Sequence, residues 1–274
     1  MIVEDTRVSG EWLDLREPAD AAARDPELVE SLRQRLPSTG CLVIHDLGCG
    51  TGSMGRWLAP LLPRPQHWVL HDRDEDLLDA AAAEPPGPAA DGASVSVETR
   101  ASDVALLRPN DLADASLVTA SALLDLLTRD ELDGLIGVCT RASCPVFLSL
   151  SVVGRVDLVP ADPLDSSVAA AFDAHQRRMT ERGRLLGPDA VAAAVEGFRQ
   201  RRAAKVLLRP TPWRLGAAEA DLAAEWFTGW IGAACEQSVE LASETGSYAR
   251  RRLAEARAGE LAVTVGHADL LVLP

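Results

Sequence analysis

Short apolar runs alternate with helical segments along the first half of the chain, and this alternation limits the folds open to it. The apolar runs cover residues 41–46, 67–72, 94–98, 116–121 and 145–151. Helical segments at 53–62 and 75–83 separate the first three runs. Short apolar runs separated by helices are typical of βαβ units and a parallel sheet. The pattern therefore predicts an α/β domain.

The second half of the chain departs from this alternation. Helical segments are predicted over 163–182, 189–202 and 217–257, and strands over 205–208 and 261–273. Together the strands predict a doubly wound, mostly parallel seven-stranded sheet with helical cap insertions. Late insertions usually lie over the carboxyl ends of the strands, where such sheets bind ligands. The predicted divisions are an N-terminal helical lid segment (1–40, with one helix over 18–36), an α/β core (41–151), a first helical insertion or cap (152–203), and the last strands with a second insertion (204–274).

Charge and cysteine content narrow the function classes. The chain has 41 acidic and 27 basic residues, a formal charge of −14, which argues against a surface that binds nucleic-acid phosphates. No apolar run reaches the roughly 18 residues of a membrane span, and no signal segment opens the sequence. The five cysteines form no C-x-x-C pair, so we expect reduced thiols and no metal site. We expect a cytoplasmic protein with neither a nucleic-acid nor a membrane partner; a homodimer stays open.

A glycine-rich turn follows the first strand. Asp46 precedes Gly48, Gly50 and Gly52, which alternate with other residues and lead into a helix. Glycine permits positive φ and close approach to a ligand, and a helix start offers free N–H donors. Asp72 ends the second strand, where a carboxylate accepts hydrogen bonds from ribose hydroxyls. The alternative is a tight strand–helix turn with purely structural glycines.

The spacing of this turn favours one cofactor over another. A dinucleotide site has G-x-G-x-x-G, but Ser53 stands at the third glycine position. The order D-x-G-x-G-x-G instead resembles the S-adenosylmethionine site of class I methyltransferases. The resemblance implies a Rossmann-like fold, a glycine loop under the methionine part, Asp72 on the ribose, and Ser102 with Asp103 at the adenine. The cofactor-binding residues it implies are Asp46, Gly48, Cys49, Gly50, Thr51, Gly52, Asp72, Arg73, Ser102, Asp103, Ala120 and Ser121.

The resemblance extends to a bacterial subgroup of small-molecule methyltransferases. Residues 66–72, 120–125, 154–176 and 212–215 carry it, so it covers most of the chain. It implies no particular acceptor. The chain also departs from the usual hairpin between the last two strands by inserting residues 210–259.

Two residues are candidates for the chemistry of methyl transfer, which needs a deprotonated nucleophile and exclusion of water. His175 is the predicted general base, since its ordinary pKa of about 6.5 suits proton removal and it lies on the apolar face of its helix. A buried structural histidine is the alternative. Asp125 follows the fourth strand and is predicted to orient an acceptor amine or hydroxyl. It could instead cap the next helix, although Thr128 with Glu131 is the better cap.

Aromatic and basic residues of the insertions are candidates for acceptor binding. Trp213, Trp226 and Trp230, half of the six tryptophans, are predicted to wall an aromatic pocket, with simple lid packing as the alternative. Arg155 joins them as a predicted substrate contact. A basic group that could bind a carboxylate or phosphate, or form a solvated helix end, comprises Arg177, Arg178, Arg182 and Arg184.

The sequence thus predicts an S-adenosylmethionine-dependent methyltransferase that methylates an O or N atom of a small metabolite or natural product. A first alternative is an NAD(P)-dependent oxidoreductase with a Rossmann fold, disfavoured by Ser53 and by the missing Tyr-x-x-x-Lys pair. A second is a non-catalytic nucleoside-binding module, whose cap would not enclose a pocket. A nucleic-acid methyltransferase is disfavoured by the charge and by residues 121–124, which lack the expected Pro-Pro motif.

Overall fold

The computed structural model describes residues 8–274, which form one central sheet with helices on both faces. Its strands are β1 (Leu42–Leu47), β2 (Gln66–Asp72), β3 (Val95–Ala101), β4 (Leu117–Ser121), β5 (Val146–Val159), β6 (Met179–Thr180), β7 (Gly183–Arg184), β8 (Lys205–Pro210), β9 (Trp213–Leu215) and β10 (Ala262–Leu273). Seven lie side by side in the order β3-β2-β1-β4-β5-β10-β8, and β9 pairs with β10. The first five are parallel, whereas β10 is antiparallel to β5 and β8. The predicted α/β fold with a mostly parallel sheet is confirmed.

The helices divide between the two faces of the sheet and a cap. They are α1 (Gly10–Ala23), α2 (Pro26–Arg33), α3 (Ser53–Leu58), α4 (Glu75–Ala83), α5 (Arg129–Ala142), α6 (Asp165–Gln176), α7 (Ala190–Gln200), α8 (Ala220–Gln237), α9 (Val239–Glu244) and α10 (Gly246–Arg257). Helices α5 and α7 cover one face, and α2, α3 and α4 cover the other. Among residues 8–274, no helix combines the length and apolar character that a membrane span requires.

A separate apolar core holds the cap together. Helices α6, α8 and α10 pack with β9 around Trp213, Phe227, Trp230 and Tyr248, all of them buried. Trp226 stacks on Trp230 with 5.3 Å between ring centroids. Because aromatic side chains bury the largest apolar areas, this cluster gives the cap a core of its own beside the sheet.

Capping side chains set the ends of several helices. Helix α4 covers the predicted residues 75–83, and it begins where the Asp74 carboxylate accepts a hydrogen bond from the Asp76 amide (3.1 Å). At the start of α5, the Thr128 hydroxyl accepts from the Glu131 amide, and the Glu131 carboxylate accepts from the Thr128 amide at 2.8 Å. This reciprocal capping confirms Thr128 as the cap of α5 and leaves Asp125 free of that role.

The predicted single helix over 18–36 is wrong, because the chain forms two helices there. Arg24 leaves the helical conformation (φ −58°, ψ 141°) at the end of α1. The Asp25 carboxylate then accepts hydrogen bonds from the amides of Glu27 (2.7 Å) and Leu28 (3.2 Å), and Pro26 occupies the first turn of α2. Residues 1–7 of the predicted lid segment lie outside the described residues.

The predicted boundary between core and first insertion falls inside a strand. Strand β5 continues past residue 151 to Val159, through positive φ angles at Leu150 (53°) and Gly154 (70°). Helix α6 is shorter than the predicted 163–182, because a β6–β7 hairpin follows it. Helix α7 packs on the sheet through Ala190, Ala194 and Phe198, so this part of residues 152–203 lies in the core layer.

One buried carboxylate ties distant segments together. Asp269 of β10 accepts hydrogen bonds from the Leu150 amide (2.8 Å) and from the hydroxyls of Ser149 (2.9 Å) and Thr211 (3.0 Å). Its second oxygen accepts from the Asp25 amide at 3.1 Å. This single side chain thereby fixes the start of α2, the turn in β5 and the chain before β9.

Candidate active site

A cavity of about 440 Å³ lies at the carboxyl ends of the parallel strands. Its first end is formed by the glycine turn after β1 and by the residues that end or follow β2, β3 and β4. Its second end is formed by the turn that follows β4, by helices α1, α6 and α8, and by strands β5, β9 and β10. We call these the strand-end half and the cap half. One continuous cavity therefore joins the glycine turn to the cap.

The glycine turn has the backbone conformation that its sequence predicts. Gly48, Gly50 and Gly52 have φ angles of 64°, 55° and 86°, which L side chains rarely adopt. The Gly50 amide donates to the Asp72 carboxylate at 2.9 Å. A Cβ atom at Gly50 would lie 3.0 Å from the Leu13 side chain of α1. Gly48 and Gly50 line the cavity, whereas Gly52 packs toward α4 and begins α3.

Other predicted cofactor residues lie around this turn. The second carboxylate oxygen of Asp72 accepts from the Asp74 amide (3.0 Å), and Asp103 accepts from the Ala105 amide (2.9 Å). Burial raises the pKa of the Cys49 thiol, so it stays protonated. The predicted cofactor residues that line the cavity are Gly48, Cys49, Gly50, Thr51, Asp72, Arg73, Ser102, Asp103 and Ser121, while Asp46, Gly52 and Ala120 lie outside the lining.

Asp46 lies beneath the turn beside a buried arginine that the sequence analysis missed. Asp46 accepts a hydrogen bond from the Thr119 hydroxyl at 2.7 Å, and burial raises its pKa to about 6. The Arg24 guanidinium donates to the hydroxyls of Ser121 (3.1 Å) and Ser53 (3.4 Å). Burial lowers the pKa of Arg24, and the nearby carboxylates, Asp46 among them, oppose this shift. Arg24 thus places positive charge under the strand-end half.

The N-terminal helix supplies one wall of the cap half. The Arg16 side chain donates to Asp20 at 3.0 Å and lies 4.8 Å from the ring centroid of Trp213. The Trp213 indole N–H donates to the other Asp20 oxygen at 2.9 Å. Trp12 and His267 complete this wall, and burial lowers the pKa of His267 to about 3, so its ring is neutral. Of these residues, only Trp213 was predicted.

Asp125 and Arg178 present charged groups to the cap half without an ion-pair partner. Asp125 lies on a short 3-10 turn, and burial raises its pKa to about 6. Within residues 8–274, no arginine, lysine or histidine nitrogen lies within 4.0 Å of its carboxylate. Within residues 8–274, the Arg178 guanidinium donates one hydrogen bond, to the His175 carbonyl (3.4 Å), and forms no ion pair with a carboxylate. Both side chains line the cavity.

The remaining predicted residues divide between the lining and its surroundings. Trp226 lines the cavity, and Trp230 is buried behind it. His175 does not line it: its Nε2 lies 3.2 Å from the Glu236 carboxylate, and burial lowers its pKa. Arg155 points to solvent, with its guanidinium 2.8 Å from Asp157.

No protein-family model matches the chain, and no curated protein matches it. Among solved structures, it is similar to a cyclopropane-fatty-acyl-phospholipid synthase-like protein from Lactobacillus casei, with 14% identity over 97% of this chain and 94% of that one and a TM-score of 0.52. It is also similar to a cyclopropane synthase from Mycobacterium tuberculosis (13% identity, 96% and 94% coverage, TM-score 0.49) and to phosphoethanolamine N-methyltransferase 2 from Haemonchus contortus (12%, 99% and 58%, 0.49).

The likeness to the Lactobacillus casei protein and the strand order define the fold. The chain has the fold of class I S-adenosylmethionine-dependent methyltransferases, with a cap added over the strand ends. A dinucleotide-binding Rossmann sheet has the strand order 3-2-1-4-5-6. Here the antiparallel β10 instead lies between β5 and β8.

Proposed function

We propose that the protein is an S-adenosylmethionine-dependent methyltransferase that methylates an oxygen or nitrogen atom of a small-molecule acceptor. The continuous cavity is the observation that carries this proposal. Its strand-end half lies at the carboxyl ends of the strands, where α/β sheets bind ligands, which supports a cofactor there, and its cap half offers a walled space for an acceptor. Methyl transfer needs both ligands in one water-excluding cavity, since the reacting atoms must approach in line.

The residues of the strand-end half fit S-adenosylmethionine. The positive φ angles of Gly48 and Gly50 keep side chains away from the turn, which leaves its backbone open to a ligand. Asp72 ends β2 and is the residue we assign to the ribose hydroxyls, with Ser102 and Asp103 at the base. The unpaired, buried Asp46 oxygen and the cationic Arg24 make the floor of this half polar.

Asp125 is the residue we assign to proton removal. When bound, S-adenosylmethionine supplies an electrophilic methyl group on a sulfonium. Methylation of an acceptor O or N would leave S-adenosylhomocysteine and release one proton, which the Asp125 carboxylate would accept. A carboxyl group with a pKa of about 6 is ionised at neutral pH yet basic enough to accept that proton. His175 takes no part in this step, because its ring faces Glu236 and lies outside the cavity lining.

The geometry also bears on the alternatives. The antiparallel β10 and Ser53 both disfavour an oxidoreductase with a dinucleotide site. A pure binding module is disfavoured because residues of the cap, Trp213 and Trp226 among them, line the same cavity as the glycine turn. The charge of −14 disfavours nucleic acid as the acceptor.

Titration calorimetry with S-adenosylhomocysteine tests the cofactor assignment. We expect the wild-type protein to bind it and Gly50→Val to weaken binding by about a hundredfold, or about 2.7 kcal/mol, because the valine side chain would crowd Leu13 at the cavity lining and strain the turn. Gly40→Val is the matched control: Gly40 has a similar φ of 83°, but a Cβ there meets nothing within 4 Å. Absence of wild-type binding, or equal affinity in a folded Gly50→Val variant, contradicts the assignment.

A methyl-transfer screen tests the acceptor class. The enzyme would be incubated with S-adenosylmethionine and a panel of hydroxyl- and amine-bearing metabolites, and mass spectrometry would detect the methylated product. Methylation at carbon only, or of macromolecules only, contradicts the O- or N-directed small-molecule proposal.

A further inference from the structure

A buried chain of hydrogen bonds runs from the protein surface to the strand-end half of the cavity. The Asp114 carboxylate lies 3.0 Å from His45 Nε2, and His45 Nδ1 lies 2.9 Å from His71 Nε2. His71 Nδ1 lies 3.0 Å from the Ser102 hydroxyl. Asp114 is 64% exposed and His45 fully buried, so the chain links a solvent-facing acid to a residue that lines the cavity.

The chemistry of the four groups fixes the direction of every bond. A carboxylate only accepts, so His45 Nε2 must carry its proton and donate to Asp114. A neutral imidazole then has Nδ1 as its acceptor, which requires His71 Nε2 to donate to it. His71 Nδ1 is in turn an acceptor, so the Ser102 hydroxyl donates its only hydrogen to His71.

These bond directions require both rings to be neutral, and their surroundings keep them so. Burial lowers the pKa of His45, and it lowers that of His71 to about 4. At His45 the hydrogen bond and charge of Asp114 oppose this shift without cancelling it, and Arg100 adds a smaller lowering effect. At His71 the neighbouring His45 ring and Arg100 lower the pKa further, against smaller opposing effects of Asp111 and Glu98. Two neutral rings in series leave one consistent arrangement, with both histidines as Nε2–H tautomers.

Ser102 is held in place for a role at the cavity. Its backbone amide donates to the Asp72 carbonyl at 2.8 Å, which fixes the residue next to the end of β2. Its hydroxyl hydrogen is directed inward, and the Arg100 carbonyl, 3.4 Å away, also lies there as a weaker acceptor. The lone pairs of the Ser102 oxygen are therefore what this side chain offers to a ligand.

We propose that Asp114, His45 and His71 act as positioning residues that hold the Ser102 hydroxyl as a hydrogen-bond acceptor only. The site would then prefer a purine base with an amino group at position 6 over a purine base with a carbonyl group there. The inference rests on the proposed function, because it takes the base of the cofactor to lie at Ser102. An amino group can donate a hydrogen bond to the Ser102 oxygen. A carbonyl oxygen cannot, and its lone pairs would repel those of the Ser102 oxygen.

The first test is spectroscopic. Long-range ¹H–¹⁵N correlation spectra of the wild-type protein, labelled with ¹⁵N-histidine, report which ring nitrogens carry protons. We expect Nε2–H tautomers for His45 and His71, and we expect Asp114→Lys to shift both toward Nδ1–H, because an ammonium group only donates. An Nδ1–H tautomer, or a doubly protonated ring, in the wild-type protein at pH 7 overturns the inference.

The second test measures base selectivity by calorimetry with S-adenosylhomocysteine and S-inosylhomocysteine. We expect the wild type to prefer the adenosyl form, and we expect His71→Phe and Asp114→Lys to reduce that preference by about tenfold, the value of one reversed or lost hydrogen bond. Asp114 is exposed, so its variant should fold even if His71→Phe does not. Asp79→Lys, the same charge change on an exposed face of α4, should leave the ratio unchanged.

The outcomes separate the two proposals. If the wild type binds neither compound, the cofactor assignment fails and this inference fails with it. If it binds S-adenosylhomocysteine but the selectivity ratio stays the same in folded Asp114→Lys, the cofactor assignment stands and the inference alone is wrong.

Discussion

The two halves of the cavity are built in different ways. In the strand-end half, backbone turns that follow β1, β2 and β3 form the surface, and its acids are held by amides such as those of Gly50 and Asp74. In the cap half, side chains from segments far apart in the sequence form the surface, and Asp125 and Arg178 have no ion-pair partner in residues 8–274. The first half is prearranged by the fold, whereas the second keeps charge available for a ligand.

This difference assigns separate tasks to the halves. A site whose acids already accept backbone hydrogen bonds holds one ligand in one orientation. A half-buried carboxylate without a partner costs stability and is retained at functional sites. Changes in the cap half should therefore alter turnover without altering cofactor affinity, and changes in the strand-end half should do the reverse.

The largest expected effect is that of Asp125→Asn. Turnover, measured on an acceptor found in the screen, should fall by about a hundredfold or more, while the dissociation constant for S-adenosylhomocysteine stays unchanged. In the wild type, turnover should rise with pH through about 6, as Asp125 ionises, and then level off.

The stability of the same variant should move in the opposite direction. The folded-state pKa of Asp125 is raised above its ordinary 3.8 to about 6, so ionisation opposes folding progressively as the pH rises between these values. Replacing it with asparagine should raise the free energy of unfolding at pH 8 by up to about 3 kcal/mol, and by less at pH 5, in urea titrations. Asp130→Asn, on an exposed position of α5, is the control. A variant that is both less active and less stable would assign Asp125 to the framework.

Asp72→Ala should have the next largest effect, confined to the strand-end half. Loss of hydrogen bonds to a charged acceptor costs about 1.5–3 kcal/mol, or ten- to a hundredfold in affinity for S-adenosylhomocysteine. Calorimetry measures this, with Asp79→Ala as the matched control. Unchanged affinity in Asp72→Ala would remove the ribose assignment.

Trp213→Phe should have a smaller effect, on stability. It removes the indole N–H that donates to the buried Asp20 and leaves that oxygen with only the Arg16 guanidinium as a donor (3.2 Å), which should lower the free energy of unfolding by about 1–2 kcal/mol in urea titrations. Trp226→Phe removes similar ring area without touching Asp20. Equal losses in the two variants would show that ring packing alone matters at residue 213.

His175→Ala should change turnover least. Its ring lies against Glu236 outside the lining, so we expect a lower melting temperature and less than about a threefold change in turnover per folded molecule. A hundredfold loss of turnover with intact cofactor binding would instead restore His175 as the base and contradict the assignment to Asp125.

Local patterns predicted the strand-end half well. Residues close together in the sequence determine the strands, the positive φ angles of the glycine turn and the helix over 75–83. Their spacing can therefore be read from a single sequence. The wall of Trp12, Arg16 and Asp20 was not predicted, because it forms only when α1 meets β9 some 190 residues later. The His45–His71 pair was missed for the same reason. Each histidine lies in an ordinary apolar strand, and only the register of β1 and β2 brings them together.

Asp269 has a consequence for the order in which the molecule assembles. It accepts from the Asp25 amide across 244 residues of chain, and it belongs to β10, the last strand in chain order, which lies between β5 and β8 in the sheet. Contacts this distant in sequence form late, because the chain must close a long loop before they stabilise anything. The segment around Asp25 is thus synthesised well before β10 but makes this contact only after β10 has formed, and the cavity wall that β10 contributes exists only once that strand has paired.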